Sequence, residues 1–122
     1  MAIKKLFVLD TNVVLYYLGG KLIKPLPTGD YAISIITEIE LLSYPSLTKE
    51  EDRQIKNFFQ FLTIVNIDHQ IKQLAIDFRR RDRLKLPDAI IVATAKAMDA
   101  TLLTNDANLG KLTEIKVESV QI

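Results

Sequence analysis

The sequence predicts an α/β fold on a largely parallel sheet. Short apolar and β-branched runs alternate with helical segments through the whole chain, and the helical segments carry their own caps and breakers. A third observation is positional: aspartates fall just after predicted strands or in the first turn of a helix, where an α/β sheet collects its ligand-facing side chains.

Taken in order, Lys5 to Leu9 is an apolar run suited to a buried strand. Thr11 to Leu18 reads as a helix ended by Gly19-Gly20. Lys21 to Asp30 contains Pro25 and Pro27 and is expected to be a loop, followed by a strand at Tyr31 to Ser34. Thr37 to Tyr44 is predicted helical, with Pro45 as its stop. Thr48 and Glu51 have capping-box spacing, and Ile55, Phe58, Phe59 and Leu62 then follow the i, i+3, i+4, i+7 rule of an amphipathic helix. Thr63 to Ile67 is β-branched and predicts a strand. Asp68 is a helix cap ahead of Ile71, Leu74, Ala75 and Phe78, which repeat the helical spacing. Pro87 opens a helix that continues from Ala89 to Met98. Thr101 to Thr104 is a strand, and Lys116 to Val120 is a weaker one.

The bulk numbers fit one soluble globular domain over residues 1–122, with 48% hydrophobic and 25% charged residues. Cysteine is absent, which removes disulfides, thiolate zinc sites and cysteine nucleophiles together. The longest apolar runs, Leu6 to Leu9 and Ala89 to Ala93, are too short to span a bilayer. The opening Met1-Ala2-Ile3-Lys4-Lys5-Leu6 lacks the apolar core of a signal peptide, so a cytoplasmic protein with no membrane contact is expected. The net charge of +1 is unlike a dedicated duplex-DNA binder, and any nucleic-acid contact must come from a local patch or from bound metal.

Asp10 directly follows the first strand, Asp106 follows the fourth after one intervening residue, and Asp88 lies in the first turn of its helix, where the dipole favours negative charge. Singly, each has an ordinary reading as a cap or turn residue. Glu40 shares a helix face with Thr37 and Tyr44, whereas Glu38 lies about 200° around the helix, so only one of the two glutamates can face a given cleft. Carboxylates gathered at one cleft repel unless a cation sits among them. A site with oxygen donors, no cysteine and the lone His69 elsewhere suits Mg²⁺ or Mn²⁺ rather than zinc.

The same residues resemble the motifs of PIN-domain proteins. Leu9-Asp10-Thr11-Asn12 resembles the opening motif, and Ser34-Ile35-Ile36-Thr37-Glu38-Ile39-Glu40-Leu41 the second, whose acidic ligand precedes the leucine and so selects Glu40. Asp88-Ala89-Ile90-Ile91-Val92-Ala93-Thr94-Ala95 resembles the third and Thr104-Asn105-Asp106 the fourth, all in the family's order. The resemblance implies a single domain with a sheet of four or five strands in the order 3-2-1-4-5 and helices on both faces. It implies an endoribonuclease dependent on Mg²⁺ or Mn²⁺, with Asp10, Glu40, Asp88 and Asp106 as catalytic metal ligands and Asn12 and Thr104 supporting them through hydrogen bonds. A chain of this size is most similar to the VapC toxins of toxin–antitoxin pairs, which act on RNA, often as homodimers, and are silenced by a VapB antitoxin. Two features depart from the pattern. Asn108 and Leu109 stand where a further acidic residue and an aromatic often occur, and the loop from Gly19 to Asp30 is short.

Arg79, Arg80, Arg81, Arg83 and Lys85 form the basic cluster. Arg80, Arg81 and Arg83 are candidate RNA contacts; the alternative is a solvated helix end whose cations complement the dipole. His69 is expected at the surface. Phe58, Phe59 and Phe61 offer stacking surfaces, although the first two fit an apolar helix face. Tyr16 and Tyr17 fit a dimer interface or ordinary packing. Among rival functions, an aspartyl phosphatase needs an acid two residues after its nucleophile, where this chain has Asn12. A phosphoacceptor domain leaves the Glu40 motif unexplained. A PIN-like protein that binds RNA or a partner without cutting, or one that matures RNA, remains the alternative.

Overall fold

Alternating apolar runs place both faces of the central strands in core, and the computed structural model, which describes residues 4–122, follows that pattern. The first three residues of the stretch read above for a signal peptide lie outside the described residues. In chain order the elements are β1 (Leu6–Leu9), α1 (Thr11–Leu18), β2 (Asp30–Ser34), α2 (Ile35–Leu42), α3 (Lys49–Phe59), β3 (Thr63–Val65), α4 (His69–Asp82), α5 (Leu86–Ala97), β4 (Thr101–Leu103), α6 (Ala107–Gly110) and β5 (Lys116–Glu118). The five strands form one parallel sheet in the order β3-β2-β1-β4-β5, as the motif resemblance implied.

Side chains alternate across this sheet. Phe7, Leu9, Ile33 and Leu103 pack with Val13, Val14, Leu41 and Ile55 on one face. Val8, Ala32 and Leu102 point to the other face, against Ile71, Ala75 and Phe78 of α4 and the apolar run Ala89 to Ala93 of α5. Complete burial of Phe78 there is worth about 3 kcal/mol relative to exposure. Gly29 admits β2 beside β1: a Cβ at that position would collide with the carbonyl oxygen of Lys5.

The helix boundaries differ from expectation where a polar cap decides them. α2 begins at Ile35 rather than Thr37, because the Ser34 hydroxyl accepts from the Ile36 amide at 3.1 Å. It ends at Leu42, so Tyr44 lies beyond it. α5 begins at Leu86, with Pro87 inside its first turn, and Met98 is its C-cap. β3 ends at Val65 rather than Ile67 because its partner β2 gives way to α2 after Ser34. β5 stops at Glu118, where Asn105 takes over the pairing: its side chain donates to the Val120 carbonyl at 2.9 Å and accepts from the Val120 amide at 2.8 Å. The single turn α6 was not anticipated; the capping box at Thr48 and Glu51 and the Asp68 cap are present.

Candidate active site

β1 is the middle strand, with β2 on one side and β4 on the other, so the chain reverses its direction of winding there. The carboxyl ends of β1 and β4 border the crevice that such a switch point opens. Asp10 ends β1, and its amide bonds the Leu103 carbonyl at 3.0 Å. Thr104 ends β4, and its amide bonds the Glu118 carbonyl at 3.0 Å. Sheet pairing therefore extends one residue past both strands and fixes both backbones.

Their side chains meet. The Thr104 hydroxyl donates to Asp10 Oδ2 at 2.6 Å and accepts from the Asp106 amide at 3.1 Å. Asp10 occupies the N-cap position of α1 but makes no side-chain cap bond, leaving its carboxylate free of that role. Asp106 does act as a cap: it accepts from the Asn108 amide at 2.8 Å and so starts α6. Its ordinary structural reading and its place at the cleft both hold.

Glu40 is delivered from the β2 side. The Thr11 hydroxyl donates to Glu40 Oε1 at 2.8 Å and lies 3.0 Å from the Thr37 hydroxyl. Because Thr11 spends its proton on Glu40, Thr37 is the donor between the two threonines. Thr11 and Thr37 are buried, so this chain of hydroxyls joins the first turn of α1 to the inner face of α2. Thr11 was not singled out as a site residue from sequence; its signal was a β-branched hydroxyl directly after Asp10.

Asp88 lies in the first turn of α5, with its carboxyl partly buried. Burial raises its pKa above the ordinary value, and the charges of Asp10, Asp106 and Glu40 raise it further, against a partial offset from Lys85. Burial likewise pushes Asp10 up; the Thr104 hydroxyl and the Thr11 amide oppose this, and Asp106 and Glu40 add to it. Carboxylates from four parts of the chain thus feel one another's fields across one space, and Glu38 is absent from the groups acting on Asp10 and Asp88.

Asn12, expected to support the acids, is exposed and makes no side-chain hydrogen bond among the described residues. His69 is exposed at the start of α4. Arg81 pairs with Glu114 at 2.5 Å, while Arg80 is exposed. Phe58 and Phe59 pack against the core, Phe61 is 80% exposed, and the Tyr17 and Phe58 rings approach to 5.0 Å.

The donor chemistry fits a hard divalent cation: every candidate ligand is a carboxylate oxygen, and burial, with neighbouring acids adding to it, raises two of them. Among the described residues, no three His, Cys, Asp or Glu side chains close on one point tightly enough to hold an ion by themselves. Mg²⁺ keeps several waters in its shell and needs only one or two carboxylates directly.

A family model described as PIN domain matches residues 7–115. None of the curated proteins compared matches the chain. Among solved structures, a chain of VapBC2 from Rickettsia felis bound to a promoter DNA fragment superposes with a TM-score of 0.80 at 19% identity, covering 95% of this chain and 99% of that one. DNA-bound VapBC from Salmonella typhimurium gives 0.78 at 22% identity, covering 96% and 98%. A toxin–antitoxin complex from Klebsiella pneumoniae gives 0.72 at 24% identity, covering 88% and 93%. At these identities the likeness is one of fold.

Proposed function

The chain belongs to the PIN-domain family, and from that membership we propose that it is an endoribonuclease dependent on Mg²⁺ or Mn²⁺, the VapC-like toxin of a toxin–antitoxin pair. One observation supports the reading: Thr104 joins Asp10 to the Asp106 amide, and Thr11, the residue after Asp10, donates to Glu40, so acids from separate motifs lie beside the carboxyl ends of β1 and β4. Structural acids serving only as caps have no need of a common focus.

Asp10, Glu40, Asp88 and Asp106 would hold the ion, which when bound supplies water activation and neutralises charge developing on a phosphodiester. Thr104 orients Asp10, and its acceptance from the Asp106 amide keeps its own proton directed at that carboxylate. Thr11 holds Glu40 toward the crevice. The resulting reaction is hydrolysis of an RNA phosphodiester bond, with the chain's residues positioning the ion and the strand.

The solved structures similar in fold include toxin–antitoxin complexes, which supports a VapB-like antitoxin as the partner. A homodimer and a cytoplasmic site of action complete the proposal. Among the described residues, no helix is long and apolar enough to cross a membrane.

The test is RNA cleavage by the purified protein with Mg²⁺ or Mn²⁺ and with excess chelator. Cleavage that needs the ion supports the reading. Metal-dependent RNA binding without cutting would favour the non-cleaving alternative.

A further inference from the structure

The arginines and lysine that are contiguous in sequence part company in the structure. Arg81, although exposed, is engaged within the chain: its guanidinium pairs with Glu114 and lies 5.6 Å from the Phe78 ring centre. Lys96 reaches the same Glu114 at 3.4 Å, so α4 and α5 are tied to the segment between α6 and β5. Arg79 and Arg80 are exposed in the last turn of α4, where cations complement the helix dipole.

Arg83 and Lys85 stand elsewhere. With Lys111, at the end of α6, they line a polar groove of about 530 Å³ that also contains Asp88 and Asp106. Three cations thus come from the end of α4, the entry to α5 and the end of α6. Among the described residues, none of the three is in an ion pair. Of the other acids in the groove, Glu114 is already engaged by Arg81 and Lys96, which leaves Asp82. Arg83 is also held in the left-handed region at φ 55°, ψ 35°, where its amide bonds the Arg79 carbonyl and closes α4. Glycine would take this position without strain, yet the chain places a long cation there, in the lining of the groove.

Unpaired cations in the same polar groove as Asp88 and Asp106, two of the candidate metal ligands, match a polyanion lying in that groove. We propose that Arg83, Lys85 and Lys111 form a phosphate-binding rail that guides the RNA strand to Asp88 and Asp106, with Arg81 bracing the groove wall rather than touching RNA. The rail rests on the endoribonuclease reading and specifies where its substrate lies. It transfers the RNA contact expected of Arg80 and Arg81 to Lys85 and Lys111, and retains Arg83.

The experiment is fluorescence anisotropy with a labelled single-stranded RNA of mixed sequence across a potassium chloride series, using the Asp10→Asn protein so that the RNA stays intact. Removing one cation from the phosphates of a single strand lowers the slope of log affinity against log salt by about 0.7. The triple variant Arg83→Gln, Lys85→Gln, Lys111→Gln should therefore flatten the slope by about 2 and weaken low-salt binding by at least tenfold. Lys111→Gln alone should remove about 0.7, which keeps the test open if the triple variant folds poorly. Arg79→Gln with Arg80→Gln should leave the slope unchanged, and Arg81→Gln should lower the melting temperature without changing it. An unchanged slope in folded triple and Lys111→Gln proteins, or a loss produced instead by Arg79 and Arg80, overturns the rail. If the wild type still cuts RNA under that result, the nuclease reading survives without it; if the wild type neither binds nor cuts RNA, both fall.

Discussion

Thr104 joins Asp10 to Asp106: one hydroxyl donates to the Asp10 carboxylate at 2.6 Å while accepting from the Asp106 amide at 3.1 Å. The residues it links are 96 positions apart in the chain, at the ends of neighbouring strands β1 and β4. The bond gives Asp10 a fixed orientation without supplying a compensating positive charge. The bond offsets only part of the upward shift that burial, with Asp106 and Glu40 adding to it, gives Asp10.

Thr104→Val keeps the shape of the side chain and removes that donor. A buried acceptor left without its partner costs about 1–3 kcal/mol, so the metal-free protein should melt at lower temperature. Loss of a group that orients a metal ligand should also weaken metal affinity or cleavage by about 10–100-fold. Titration with Mn²⁺, followed by the rise in melting temperature, measures the affinity separately from activity. An unchanged titration would remove Thr104 from the site's support.

Metal-free stability should depend on pH in the direction set by Asp10 and Asp88, both raised by burial and by neighbouring acids. Between the ordinary carboxylate range and the raised values, the folded chain holds more protons at these groups than the unfolded chain. Their contribution therefore falls as pH rises through that window and is restored on acidification. Exposed acids elsewhere, such as Glu51 and Glu114, are lowered and act in the opposite sense. The informative quantity is thus the difference between wild type and Asp10→Asn, melted in chelator across the pH series. Asp10→Asn should gain stability relative to wild type as pH rises; a relative loss would contradict the upward shift that burial, with Asp106 and Glu40 adding to it, gives Asp10.

Glu40→Gln and Glu38→Gln should behave differently. Glu40 accepts the Thr11 hydroxyl and its charge reaches both Asp10 and Asp88. Glu38 lies on another part of α2. Cleavage should fall strongly for the first and mildly for the second, with both proteins folded by circular dichroism. The reverse order would place the wrong glutamate at the crevice.

The alternation of strands and helices was legible in the hydrophobic periodicity, and the strand order in the motif resemblance. Ile71, Ala75 and Phe78 identified the buried face of α4 from spacing alone. The boundaries that shifted did so through single polar contacts: Ser34 capping Ile36 starts α2 early, and Asn105 ends the β5 pairing. The hydroxyl chain through Thr11 and Thr37 joins residues 26 apart, and local patterning carries no signal for such a bond. The basic cluster divides for the same reason: Arg81 and Arg83 are near neighbours in sequence, but α4 ends between them, and Arg81 pairs with Glu114 whereas Arg83 lines the groove without an ion pair among the described residues.

The central claim is that Asp10 serves by its charge, as a ligand, and not by its shape. Asp10→Asn should be measured for thermal stability with and without Mn²⁺ and for RNA cleavage, all on one preparation beside the wild type. The variant should be folded, at least as stable as wild type in chelator, with a reduced Mn²⁺-induced rise in melting temperature and cleavage lowered by more than about a hundredfold. A folded Asp10→Asn protein that responds to Mn²⁺ as the wild type does and cuts RNA at the wild-type rate would contradict that claim.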